Sequence, residues 1–142
     1  MWIKVLTAGL VLATWCAADE VKVAPSRDNT LYETDREDPE VSNGAGEYFF
    51  AGLTDGNQVR RGLIAFDIAG AIPAGSTVAS VVLELTMSKT IVGDQEIGLH
   101  RVLADWGEGA SDALGEEGGG ADAEAGDATW FHAFFDSALW TN

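Results

Sequence analysis

Hydrophobic and polar positions alternate most regularly over residues 78–88 (VASVVLELTMS), where Val81, Leu83, Leu85 and Met87 interleave with Val82, Glu84, Thr86 and Ser88. Period two predicts a half-buried strand with one wet face. The density of β-branched residues argues against a helix, which would bring Glu84 and Ser88 onto one face. Upstream, residues 60–68 (RRGLIAFDI) are apolar on both alternating faces from Leu63 to Phe66, which predicts a central strand. Between the two, Ile72-Pro73-Ala74-Gly75-Ser76 reads as a turn. Shorter runs at 21–23, 30–32, 48–53, 97–103 and 130–135 are further strand candidates, and only 133–139 offers a short helical turn. Short strands separated by Gly, Asn, Asp and Pro clusters are the pattern of an antiparallel sandwich or barrel.

The start of the chain follows a different pattern. Lys4, an apolar run of 11 residues from Val5 to Trp15, and then Cys16-Ala17-Ala18 before Asp19-Glu20 have the three parts of a secretory signal peptide. The run is too short for a bilayer span, which needs about 20 apolar residues. Trp15 stands where a lipoprotein signal carries a small residue, so residues 1–18 read as a cleaved leader rather than a lipid anchor. Cleavage after Ala18 leaves residues 19–142 as one domain-sized, exported unit without a cysteine. A disulfide scaffold, a cysteine-based zinc site and a cysteine nucleophile are excluded together.

The whole chain carries a net charge of −15, and loss of Lys4 with the leader would take it to −16. Such a charge repels nucleic acid and anionic membranes and attracts divalent cations. Two loops concentrate it. Residues 33–47 hold six carboxylates and one arginine and close on Asn43-Gly44-Ala45-Gly46. Residues 107–127 form a Gly-rich acidic loop of 21 residues: seven Gly, seven acids, five Ala, Ser111 and Leu114. That composition cannot bury an apolar core, so the loop is expected to be flexible or to be ordered by something bound to it.

Taken in order, several stretches are similar to the DNRLRE domain, grouped with carbohydrate-binding module family 96. They are Asp28-Asn29-Thr30-Leu31-Tyr32-Glu33, Asn43-Gly44-Ala45-Gly46, RRGLIAFDI, Ile72 to Val78 (IPAGSTV), LHRVLADWGEG from Leu99 to Gly109, and Gly126-Asp127-Ala128-Thr129-Trp130. The resemblance implies a jelly-roll-like antiparallel β-sandwich, extracellular placement, and an accessory role beside polysaccharide enzymes or in surface proteins. Some such domains bind acidic polysaccharide such as alginate. They also continue past Trp140-Thr141-Asn142 with further strands. The resemblance therefore implies that residues 19–142 are the N-terminal two-thirds of the domain, incomplete at the C-terminal end and continuous with further domains.

For catalysis the residues offer little. His100 and His132 are the only histidines, and neither accompanies a nucleophile motif; the expectation is a non-enzymatic chain. Ca²⁺ would find oxygen ligands in the 33–47 loop, or at the ends of the long loop from Asp105, Glu108 and Asp127. A plain solvated acidic loop is the alternative reading of the same residues. Carbohydrate would use stacking aromatics and arginine donors, and Arg60, Arg61, Arg101 and Trp106 are the candidates. Arg60 and Arg61 face opposite sides of their strand. Trp106 and Trp130 read as core residues before they read as a platform, and so do Tyr48, Phe49 and Phe50. The expected function is an exported, non-catalytic carbohydrate-binding-type module in a larger secreted or surface protein. The alternatives are a structural or adhesive domain without sugar affinity, and the accessory front part of a polysaccharide lyase or hydrolase.

Overall fold

Strand β1 (Arg27–Tyr32) and strand β4 (Val59–Ala65) pair antiparallel along their length, from Arg27 opposite Ala65 to Tyr32 opposite Arg60. A computed structural model describes residues 19–141, so the leader predicted for residues 1–18 lies outside the described residues. Directly opposed residues share a face. Leu31 and Arg61, Asn29 and Leu63, and Arg27 and Ala65 therefore point to one side, and Tyr32 with Arg60 to the other. The short β3 (Gly52–Leu53) adds to the far edge of β4, giving the order β1-β4-β3 with β4 central, as its two-sided apolar pattern predicts.

Beyond Ala65 the predicted continuation of this strand to Ile68 gives way to a single helical turn, α1 (Ile68–Ala71). Asp67 causes the change: its carboxylate accepts the Gly70 N–H at 2.9 Å and caps the turn. Two small ribbons complete the paired structure, β2 (Val41–Ser42) with β5 (Ala121–Asp122), and the hairpin β6 (His132–Phe134) with β7 (Ala138–Leu139). The hairpin replaces the helical turn predicted for 133–139. Asp136 takes a left-handed φ of 62°, which a tight β-turn accepts and a helix does not. With seven strands and one helical turn among the described residues, the fold is all-β.

Three predicted strands are not formed. Residues 78–88 and 97–103 pair with nothing among the described residues. Val81 is 83 % exposed and Leu103 88 % exposed. Residues 21–23 are likewise outside any sheet. Alternation states which face a strand would bury, but a strand forms only where a partner supplies the ladder.

The apolar core is small: Leu31, Leu63, Trp106 and Ala128, with Ala65, Trp130 and Trp140 packed against it. Around it lies a buried polar knot. The Asn29 side-chain oxygen accepts from Thr30 N, Ser42 Oγ and Asn43 N at 2.6, 3.0 and 3.2 Å, and its amide donates to the Glu108 carbonyl at 2.7 Å. Fully buried Asn29, Asn43 and Asp127 are satisfied this way rather than solvated.

Candidate functional site

The sequence places Trp130 and Trp140 at the two ends of the β6–β7 hairpin, and pairing of its arms brings them together. Trp140 N–H donates to the Phe131 carbonyl at 3.1 Å, and the Trp140 indole N–H to the Thr129 carbonyl at 2.8 Å. Arg61, on the core-side face of β4, lies with its guanidinium 4.6 Å from the Trp130 ring centre. These three, with Leu31 and Leu63 as floor and Val102 at the rim, line a cavity of about 300 Å³. Arg61 is exposed, and its guanidinium makes no hydrogen bond or ion pair among the described residues. In a chain of net charge −15, an unpaired guanidinium held on an indole face presents free donors at the mouth of an apolar slot. A second, larger cleft of about 970 Å³ lies between residues 19–21 and 71–80, walled by unpaired chain rather than by converging polar groups.

The other sequence candidates for carbohydrate fall elsewhere. Arg60 faces the opposite side, 4.8 Å over the Tyr32 ring, with its Nε buried and unbonded. Arg101 is exposed on the unpaired stretch, one residue before Val102. Trp106 is only 3 % exposed, one ring face covered by Arg27 at 4.5 Å, so its aromatic surface is engaged in the core. Trp140 was not among the sequence candidates. Its signal is the turn at Asp136, whose left-handed φ of 62° closes a hairpin where the sequence predicts a helical turn.

The carboxylates proposed for a cation are separated and already bonded. Asp105 pairs with Arg27 at 2.6 Å and accepts the Trp106 N–H at 3.0 Å; the Arg27 hydrogen bond, then that N–H, hold its carboxyl below the usual range. Glu108 accepts the Asp28 N–H at 3.0 Å. Asp28 itself is pushed up, by burial first and then by the Glu108 charge. Asp127 is fully buried and accepts from Ala110 N, Ser111 N and Glu124 N at 2.9, 3.4 and 2.7 Å. Among the described residues no three His, Cys, Asp or Glu side chains gather as an ion site.

The long loop 107–127 is tied down by its own polar groups, which corrects the expectation that it must be flexible or ordered by a ligand. Asp127 gathers its base and Glu117 its middle. The Glu117 carboxylate accepts from Asn43 Nδ2, Tyr48 N and Glu47 N at 2.9, 2.9 and 3.1 Å. Burial pushes this carboxyl up, but the donors from Asn43, Glu47 and Tyr48 together outweigh it and hold it below the usual range. The Glu117 carbonyl accepts the Tyr32 hydroxyl at 3.0 Å. That phenol is pushed up to about 12, by burial foremost, with Thr30 and Arg60 pulling the other way.

His132 Nδ1–H donates to the Glu40 carboxylate, 2.9 Å away, and Thr129 Oγ1 donates to the same carboxylate. Thr129 Oγ1 also lies 3.5 Å from that same Nδ1. A nucleophile–base–acid relay requires the two partners on opposite ring nitrogens, so this cluster lacks the relay order and reads as a packing knot. Among the described residues no helix is long and apolar enough to cross a membrane. In comparisons with family models, with curated proteins and with solved structures, no match to this chain was found.

Proposed function

We propose that the chain is an exported, non-catalytic carbohydrate-binding-type module, built on a jelly-roll-like sandwich and belonging to a larger secreted or surface protein. The observation that carries this reading is the groove of Arg61, Trp130 and Trp140 over Leu31 and Leu63. Two indoles beside an apolar floor offer surface for the C–H face of a pyranose, and the unpaired guanidinium supplies donors for its oxygens. The acidic surface favours a neutral glycan, or an anionic one whose charge is met locally by Arg61. The resemblance to the DNRLRE domain supports the same reading.

Glycan arrays and affinity electrophoresis through soluble polysaccharides test it. Retardation should be weakened by Arg61→Ala and by Trp140→Ala and left intact by Arg101→Ala. A folded chain that binds no glycan would leave the structural or adhesive reading in its place.

A further inference from the structure

Trp130 stands on a bend, not on a strand. It forms that bend with Phe131, between Thr129 and β6, so the direction of its ring depends on what fixes the residues on either side. Thr129 and His132 flank the bend and close on each other. The Thr129 N–H donates to the His132 carbonyl at 2.9 Å, and the His132 N–H donates to Thr129 Oγ1 at 3.0 Å. Both also reach one carboxylate, that of Glu40, 89 residues from Thr129 in sequence. Glu40 is itself fastened to the fold: its carbonyl accepts the Ala123 N–H at 3.0 Å, and it directly precedes the β2–β5 ribbon. On its other side Thr129 holds the second indole, since its carbonyl accepts the Trp140 indole N–H at 2.8 Å. Thr129 is fully buried, and each of its polar atoms is bonded.

Apolar residues of similar volume would pack here as well. The Glu40 and His132 side chains are only 14 % and 23 % exposed, and withdrawing a carboxylate from water costs stability that apolar neighbours would not. A fully satisfied polar network adds a single geometry, because each of its bonds is directional. We propose that Thr129 is a positioning residue for the groove. Its hydroxyl, clamped by Glu40 and His132, sets the bend that places the Trp130 ring against Arg61, and its carbonyl sets Trp140. None of the three knot residues lines the cavity. The inference rests on the groove being the glycan surface, and it makes affinity depend on side chains that touch no sugar.

The test uses the full chain and reads the indoles directly. Thr129→Val removes the hydroxyl but keeps the shape and the carbonyl. It should accelerate solvent exchange of the Trp140 indole N–H about tenfold, the loss of one hydrogen bond to a charged group, while the β1 amides from Arg27 to Tyr32 stay unchanged. Retardation in gels of hydroxyethylcellulose, galactomannan or pectate, whichever slows the parent chain, should weaken by a similar factor. Thr129→Ser, which restores the hydroxyl, should return both to within about twofold of the parent. If Thr129→Val does not fold, Glu40→Gln decides in its place: it leaves one neutral oxygen for two donors and should accelerate the indole about threefold or more. Unchanged indole exchange in the folded variant, no rescue by Thr129→Ser, or equal acceleration in β1 overturns the proposal. Loosened indoles with unchanged retardation also overturn it and leave the glycan reading standing. A parent chain that no polysaccharide slows sinks the glycan reading instead, and indole exchange alone then decides whether Thr129 positions the pair.

Discussion

Replacing Glu117 by Gln removes one negative charge and one acceptor while keeping the side chain's shape. Glu117 sits at a left-handed φ of 60° in the middle of the acidic loop, yet is only 7 % exposed, because its carboxylate bridges to Asn43, Glu47 and Tyr48. An amide offers one oxygen in place of two, so at least one of the three donors loses its acceptor and the others lose charge assistance. Hydrogen bonds to charged groups contribute about 1.5–3 kcal/mol each and neutral ones about 0.5–1.5. The Glu47 and Tyr48 amides are part-buried, which places the effect at the lower end, about 2 kcal/mol for local opening. Native-state hydrogen exchange at these two amides reads that quantity directly. Glu117→Gln should accelerate both by about thirty-fold, with the β1–β4 amides from Arg27 to Tyr32 unchanged. Acceleration of less than about threefold, or equal acceleration in β1 and β4, would show that the carboxylate is not what fastens the loop.

The same group sets a pH dependence. Because the folded chain holds the Glu117 carboxyl below its ordinary value of 4.5, the contribution is complete above that pH and is lost as pH falls through the lowered folded value. Nicking of the loop by an acid protease should therefore begin only below about pH 4.5, and Glu117→Gln should abolish the pH step. Two glycines of the loop separate backbone strain from collision. Gly109 (φ 79°) would set a Cβ against the Asp127 carboxylate, whereas Gly115 (φ 73°) has open space around it. Gly115→Ala should cost about 1–2 kcal/mol in urea denaturation, and Gly109→Ala clearly more; equal losses would refute the close approach. Trp106→Ala, at the core, should destabilise by about 3–5 kcal/mol by the same measurement, and a loss under 1 kcal/mol would contradict its burial.

The β1–β4 pair was legible in the sequence because each strand finds its partner nearby. The two-sided apolar pattern of residues 63–66 named β4 as central, and Thr30-Leu31-Tyr32 named β1. Residues 78–88 show what the pattern leaves out: the strongest alternation in the chain specifies a buried face but not what buries it. The long loop was misread for the converse reason. Its poverty in apolar residues was plain, but Asp127 and Glu117 order it through backbone donors that composition does not reveal. The Trp130–Trp140 pair depended on a turn at Asp136 whose left-handed conformation a helical reading had hidden.

The chain is thus divided by the kind of interaction each part relies on. Residues 27–65 and 104–140 are held by satisfied polar groups around a small apolar centre, and residues 77–103 carry apolar side chains with no partner strand. Val102 is where the two meet, at the rim of the groove. It lies well past Ser88 in the chain, and Arg61 lies on β4. Sites more than about 10 Å apart without shared partners are expected to act additively. Arg61→Ala should accordingly weaken glycan retardation, and Glu84→Pro should leave it unchanged. Loss of retardation in both single variants would mean that the unpaired stretch and the groove form one surface.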